Sequence, residues 1–188
     1  MSGASPWVWI GLILIGFAWP LYAALAEGGD RFRTRKGRSS HAAYGVFGVL
    51  AGLIVGVLAP RYLGSRDWTA LGLQLIGGAL VFAMGLGGFL ASRVGEIGYG
   101  IGMTGLAGVL QFTSVSYHTL LGADLSLQVG ALIALVLGAG FLARGMVAPA
   151  PYGWRKERTR RAAGLIGALL QLIALAYILF GLWETYVR

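Results

Sequence analysis

Residues 68–91 read WTALGLQLIGGALVFAMGLGGFLA, an unbroken run of 24 positions with no charged side chain. A helix rises about 1.5 Å per residue, so the run is long enough to cross the roughly 30 Å hydrocarbon core of a bilayer. Its apolar residues are continuous rather than alternating, which selects a helix over a barrel strand; only those two structures satisfy the spanning backbone inside lipid. Five further segments of the same kind flank it, at about 6–26, 41–59, 97–121, 125–143 and 162–186, with Glu184 the one charged residue in any of them. The expectation is an all-α polytopic membrane protein, a six-transmembrane-helix bundle forming a single domain over residues 1–188.

Composition points the same way. The chain is 57% hydrophobic and 12% charged, with a mean hydropathy of +0.74, whereas soluble domains carry about 25% charged residues. A water-soluble globule and a disordered chain are both excluded. The absence of cysteine removes disulfides, thiolate metal centres, iron–sulfur clusters and cysteine nucleophiles.

Basic residues assign an orientation. Arg31, Arg33, Arg35, Lys36 and Arg38 fall between the first and second segments, Arg93 between the third and fourth, and Arg144, Arg155, Lys156, Arg158, Arg160 and Arg161 between the fifth and sixth. Only Arg61, Arg66 and Arg188 fall on the other side. Cations in short loops stay in the cytoplasm, which places both termini on the non-cytoplasmic side of the cell inner (cytoplasmic) membrane. Ala24-Leu25-Ala26 has the look of a signal-peptidase site, but no Lys or Arg precedes Arg31, so the first segment reads as a retained anchor. Trp7, Trp9, Trp68, Trp183 and Tyr186 would form an outer aromatic belt, and Trp19, Tyr22 and Trp154 an inner one.

The net charge of +8 follows from this topology. The two arginine-rich loops, with Arg31, Arg33, Arg35, Lys36 and Arg38 in one and Arg155, Lys156, Arg158, Arg160 and Arg161 in the other, are expected to contact anionic lipid headgroups. Such contacts are worth about 1 kcal/mol per residue. No nucleic-acid motif accompanies the charge, and nucleic acid is not an expected partner.

Between helices already in lipid, association depends on close backbone approach and polar contacts. Gly45, Gly48, Gly52 and Gly56 share one face of the second segment, and Gly130, Ala134 and Gly138 one face of the fifth. Gln74, Gly77, Gly78, Gly85 and Gly88 mark the third, and Gly167, Gln171, Ala174 and Gly181 the sixth. These faces are expected to pack within the chain, with a partner protein or a flat ligand against one of them as the alternative. Gln74-Leu75-Ile76 and Gln171-Leu172-Ile173 repeat in segments of opposite direction, the arrangement of an inverted repeat.

The fourth segment carries the candidate chemistry. Gly100, Thr104, Ala107, Gln111, Ser114 and His118 recur at spacings of four and three, a small and polar stripe along one face. An unpaired amide, hydroxyl or imidazole in hydrocarbon costs a few kcal/mol, so the stripe must face the bundle interior, a cavity or another protein. Thr104, Gln111, Ser114 and His118, with Gln74 and Gln171, form the candidate ligand or pathway face. Glu184 ends the sixth segment on the same side as His118, making the two a candidate proton-responsive pair.

His41 and His118 lie at opposite ends of their segments and cannot clamp one haem. No cofactor is required; a single-histidine haem or pigment on His118 is a minor alternative. No metal site is expected, and no catalytic constellation is present: no paired intramembrane Asp, no glycine-flanked Ser with a partnered His, no cluster of His and carboxylates. Residues 95–102, GEIGYGIG, resemble a dinucleotide fingerprint but open a membrane helix, with Arg93 and Glu96 placed to pair.

The leading functional expectation is a non-catalytic membrane subunit or scaffold that packs beside other membrane subunits or copies of itself. The alternative is a small transporter or channel for a neutral or apolar solute, its pathway lined by the fourth segment.

Overall fold

The computed structural model describes residues 35–58, 68–121, 124–147 and 154–186, together with Trp7, Gly11, Leu14, Ile15 and Ala18. Within those ranges the side chains of 35–37, 58, 68–71, 73, 117–121, 124–126, 154–156 and 185–186 lie outside the description. Every described residue is helical apart from Gly95. The helices are α1 (Arg35–Leu53), which runs on into a π-helical turn (Ile54–Leu58), α2 (Trp68–Val94), α3 (Glu96–Leu121), α4 (Asp124–Val147) and α5 (Trp154–Tyr186).

Five of the six expected segments coincide with these helices. The remaining one, at about 6–26, lies largely outside the described residues, and its five described positions are helical. Helix α5 begins eight residues earlier than the hydropathy break at 162. Arg158, Arg160 and Arg161 are therefore helical rather than in a loop. Glu157 supports that extension, lying 3.6 Å from Arg160 Nη2 and accepting a 3.0 Å bond from Arg161 Nε, at the (i, i+3) and (i, i+4) spacings that a helix brings together.

A single residue joins α2 to α3. Gly95 has a φ of +68°, the one positive value among the described residues, and its N–H closes back on Ala91 O at 2.9 Å. A residue with a Cβ is strained in that left-handed conformation, so glycine is what allows the chain to reverse direction in one step.

Helix α3 lies at the centre, flanked by α2 and α4, with α5 against both α3 and α4, and α1 on the far side of α2. The core is built around it from Met84 of α2, Tyr99, Met103, Leu106, Ala107 and Leu110 of α3, Ala131, Ala134 and Leu135 of α4, and Ala174 and Ile178 of α5.

Glycines set the approach distances. A Cβ added at Gly48 of α1 would lie 2.7 Å from Gly85 Cα of α2, and one at Gly52 would lie 2.5 Å from Phe82 N. Gly56, in the π turn, faces Gly78 in the same way at 3.3 Å. Gly102 of α3 would place its Cβ 2.9 Å from Gly87 Cα of α2, and Gly100 would place its own 3.0 Å from Gly138 O of α4. Backbone therefore touches backbone at each of these crossings, and dispersion contacts accumulate that a larger residue would push apart.

The outward faces are large and apolar. Val46, Phe47, Leu50 and Ile54 of α1, Ile133, Val136 and Leu137 of α4, and Leu165, Ile166, Leu169, Leu172, Ile173 and Phe180 of α5 are all exposed. In water such patches drive aggregation; in a bilayer they are the surface that acyl chains solvate. Among the described residues, four helices are long and apolar enough to cross a membrane, over Arg38–Val57, Gln74–Val94, Leu127–Val147 and Glu157–Glu184. Helix α3 is not among them. Its glycines and polar stripe lower its hydropathy, and it is the helix that the others enclose.

Candidate functional site

The small and polar stripe of α3 points inward along its described length. Gly100, Thr104, Ala107, Gln111 and Ser114 are all buried, whereas Val109, Phe112 and Val115 are exposed. A second buried face lies beside it, through Tyr99, Met103, Leu106 and Leu110, so α3 is covered over more than half its circumference.

The stripe divides into two polar layers. In the first, Gln171 of α5 donates from Nε2 to Thr104 Oγ1 at 2.8 Å and to Leu135 O of α4 at 3.1 Å, while the Thr104 hydroxyl donates to Gly100 O at 2.7 Å. One carboxamide thus ties three helices together. Gly138 makes this possible, because a Cβ there would lie 2.6 Å from Gln171 Nε2 and 3.0 Å from Thr104 Oγ1.

The second layer is nearer the end of α3 at Leu121. Gln111 is fully buried, and Gln74, Ser114 and Gln128 are each 1% exposed. Their common depth follows from the helix register. Gly130 faces Leu110 and Gly145 faces Ile97, which brings Gln128 level with Gln111 and Ser114. Gly98 faces Ala91 and Gly102 faces Gly87, which brings Gln74 to the same level. Gly181 of α5 lies directly against Gln111, where a Cβ would overlap Nε2. Neither Nε2 nor Oε1 of Gln111 has a hydrogen-bond partner, and nor has Oε1 of Gln74.

A third polar group lies at the opposite, arginine-rich end. His41 of α1 is 1% exposed and its Nδ1 is 3.1 Å from the hydroxyl of Tyr99, itself buried against Phe141. Glu96 is 5% exposed and pairs with Arg144 Nε at 3.1 Å, linking the start of α3 to the end of α4. This corrects the expected pairing of Glu96 with Arg93: the chain reversal at Gly95 turns α3 toward α4, and Gly145 lets the α4 terminus approach Ile97 and Glu96.

Of the other expected site residues, His118 lies in α3 but its side chain is outside the described residues, and so is its pairing with Glu184, which is exposed in α5. The single-histidine pigment site at His118 falls outside them for the same reason. Arg31 and Arg33 are also outside, as are the side chains of Arg35, Lys36, Arg155 and Lys156. Arg158 and Arg161 are exposed. Arg160 is largely committed to the protein, donating to Gly145 O at 3.2 Å, where a cation complements the carbonyl end of α4. Among the described residues no group of three or more His, Asp or Glu side chains is placed to hold a metal ion.

Sequence reasoning missed Tyr99 and Gln128 altogether, weighed His41 only as a haem ligand, and gave Glu96 the wrong partner. Two of them carried a usable signal: His41 precedes Gly45 by four residues and continues the glycine face of α1 by one turn, and Gln128 is in phase with Ala131, Leu135, Gly138, Leu142 and Gly145, all buried. No protein-family model, curated protein or solved structure matches this chain.

Proposed function

We propose that this chain is a non-catalytic integral membrane subunit, a helical scaffold whose outward apolar faces meet lipid and neighbouring membrane chains. The observation that carries this reading is the closed interior. Helices α1 to α4 meet through glycine against backbone, and the buried Glu96 and His41 both lie at the arginine-rich end, by the start of α3, rather than along the length of the bundle. Conduction of ions or protons relies on charged or titratable groups along the pathway. In this reading the arginine-rich end faces the cytoplasm, both termini lie on the opposite side, and Arg158 and Arg161 contact anionic headgroups.

The test is purification of the full chain from its native membrane in mild detergent, with mass measurement and identification of co-purifying chains. A defined complex supports the scaffold; a monodisperse single chain that carries saturable solute flux in liposomes refutes it. Orientation is tested separately. The chain has no cysteine, so single cysteines introduced at Arg35 or Arg158 should resist an impermeant thiol reagent applied to the non-cytoplasmic side, while one at Asp67 should react.

A second reading, a small transporter for a neutral solute, is favoured by the partnerless carboxamide of Gln111 within the bundle.

A further inference from the structure

All four carboxamides of this chain lie on helices of the bundle, and the sequence contains no asparagine. Gln74, Gln111 and Gln128 are each at most 1% exposed, and Gln171 is half-buried and bonded to Thr104 and Leu135 O. Membrane helices place such groups inside because hydrocarbon penalises them, and they normally find a partner there. Gln111 does not: its donor and its acceptor both lack one, and the Gln74 oxygen at the same depth lacks one too. With every glutamine accounted for, no further carboxamide elsewhere in the chain is available to complete the set.

We propose that the layer of Gln74, Gln111, Ser114 and Gln128 is a binding site for a small uncharged molecule that supplies two hydrogen-bond donors and one acceptor. The count is taken from the partnerless atoms of Gln111 and Gln74 alone. Gln111 Nε2 requires an acceptor, and Gln111 Oε1 and Gln74 Oε1 each require a donor. The neighbouring Ser114 and Gln128 extend the polar lining, and no buried charged side chain among the described residues lies at this level, so an ion would lose its hydration without a counter-charge. Two sources match the chemistry. A primary carboxamide closes a cyclic pair with Gln111 and directs its second N–H to Gln74. A water molecule donates to both oxygens and accepts from Nε2. The site requires neither transport nor a protein partner, so it stands or falls independently of the scaffold and transporter readings.

The experiment uses the full chain in lipid nanodiscs, labelled with ¹⁵N at the glutamine side chains. With four glutamines and no asparagine there are four side-chain amide signals, each assigned by a single Gln→Leu variant. Acetamide is titrated as the carboxamide probe, and water contact is read by magnetisation transfer from water to each amide. A saturable acetamide shift of the Gln111 signal, with Gln171 unmoved, identifies the carboxamide class. Transfer from water to Gln111 with no acetamide shift identifies bound water. Either outcome is abolished at the remaining signals by Gln74→Leu or Gln111→Leu if the two residues form one site. The proposal is overturned if the Gln111 signal responds to neither probe and the folded Gln111→Leu variant melts at a higher temperature than the parent, the behaviour of a dry, empty layer.

Discussion

Gly48→Ala is the sharpest test of how the bundle is held together. The added Cβ would lie 2.7 Å from Gly85 Cα and 3.2 Å from Gly85 N, and both obstacles are backbone that no side-chain rotation relieves. Ordinary contact begins at 3.4 Å, so α1 and α2 must separate locally by about 0.7 Å. A radial gap of roughly 0.5–1 Å forfeits a quarter to a half of each dispersion well of about 0.1–0.2 kcal/mol. Spread over a few tens of atom pairs at this crossing, the loss is on the order of 1–3 kcal/mol, as for overpacked cores. Gly105→Ala is the control, because nothing lies within 4 Å of a Cβ added there. Removing a helix-interior glycine relieves a penalty of roughly 0.8–1 kcal/mol, so this variant should be neutral or more stable. The assay is reversible unfolding of the full chain in mixed micelles with increasing SDS, followed by circular dichroism. The propensity gain is common to both variants, so a Gly48→Ala midpoint equal to or above that of Gly105→Ala would refute the argument that backbone contact at Gly48 holds α1 to α2.

Two further predictions concern polar contacts. Arg144→Met should destabilise the fold more than Glu96→Gln in the same SDS titration, because the first leaves a carboxylate 5% exposed without its cation, whereas the second leaves only the solvated Arg144, 60% exposed; the reverse order would show that the pair is incidental. Gln171→Leu removes two bonds linking α3, α4 and α5 and should cost about 1 kcal/mol, within the range for interhelical hydrogen bonds in membranes, while Gln171→Glu, which keeps the shape but places a charge in this layer, should cost more. Equal midpoints for both variants and the parent would sink that assignment.

The helical class and the apolar middle of each of the five described helices were legible because hydropathy is a local property. A charge-free run marks the middle of its helix, as residues 68–91 do for α2, and falls short where the helix continues through charged residues, as α1 does from Arg35 and α5 from Trp154, where Glu157 compensates Arg160 and Arg161. The inward direction of the Gly100 to Ser114 stripe was legible for a related reason: in hydrocarbon, small and polar residues in phase have one place to go. The pairing of Gln171 with Thr104 was not, since 67 residues separate them and nothing in either segment names the other.

From the chain alone come the helical class, the apolar runs, the side of the bundle that carries the arginines and the face of α3 that must be hidden. Each rests on the free energy of single groups in water or hydrocarbon, which depends only on the residue and its neighbours along the helix. The tertiary arrangement decided that Glu96 meets Arg144, that His41 meets Tyr99, and that the Gln111 carboxamide and the Gln74 oxygen are buried without a hydrogen-bond partner. Those outcomes depend on register between helices, set by where glycines let two backbones touch.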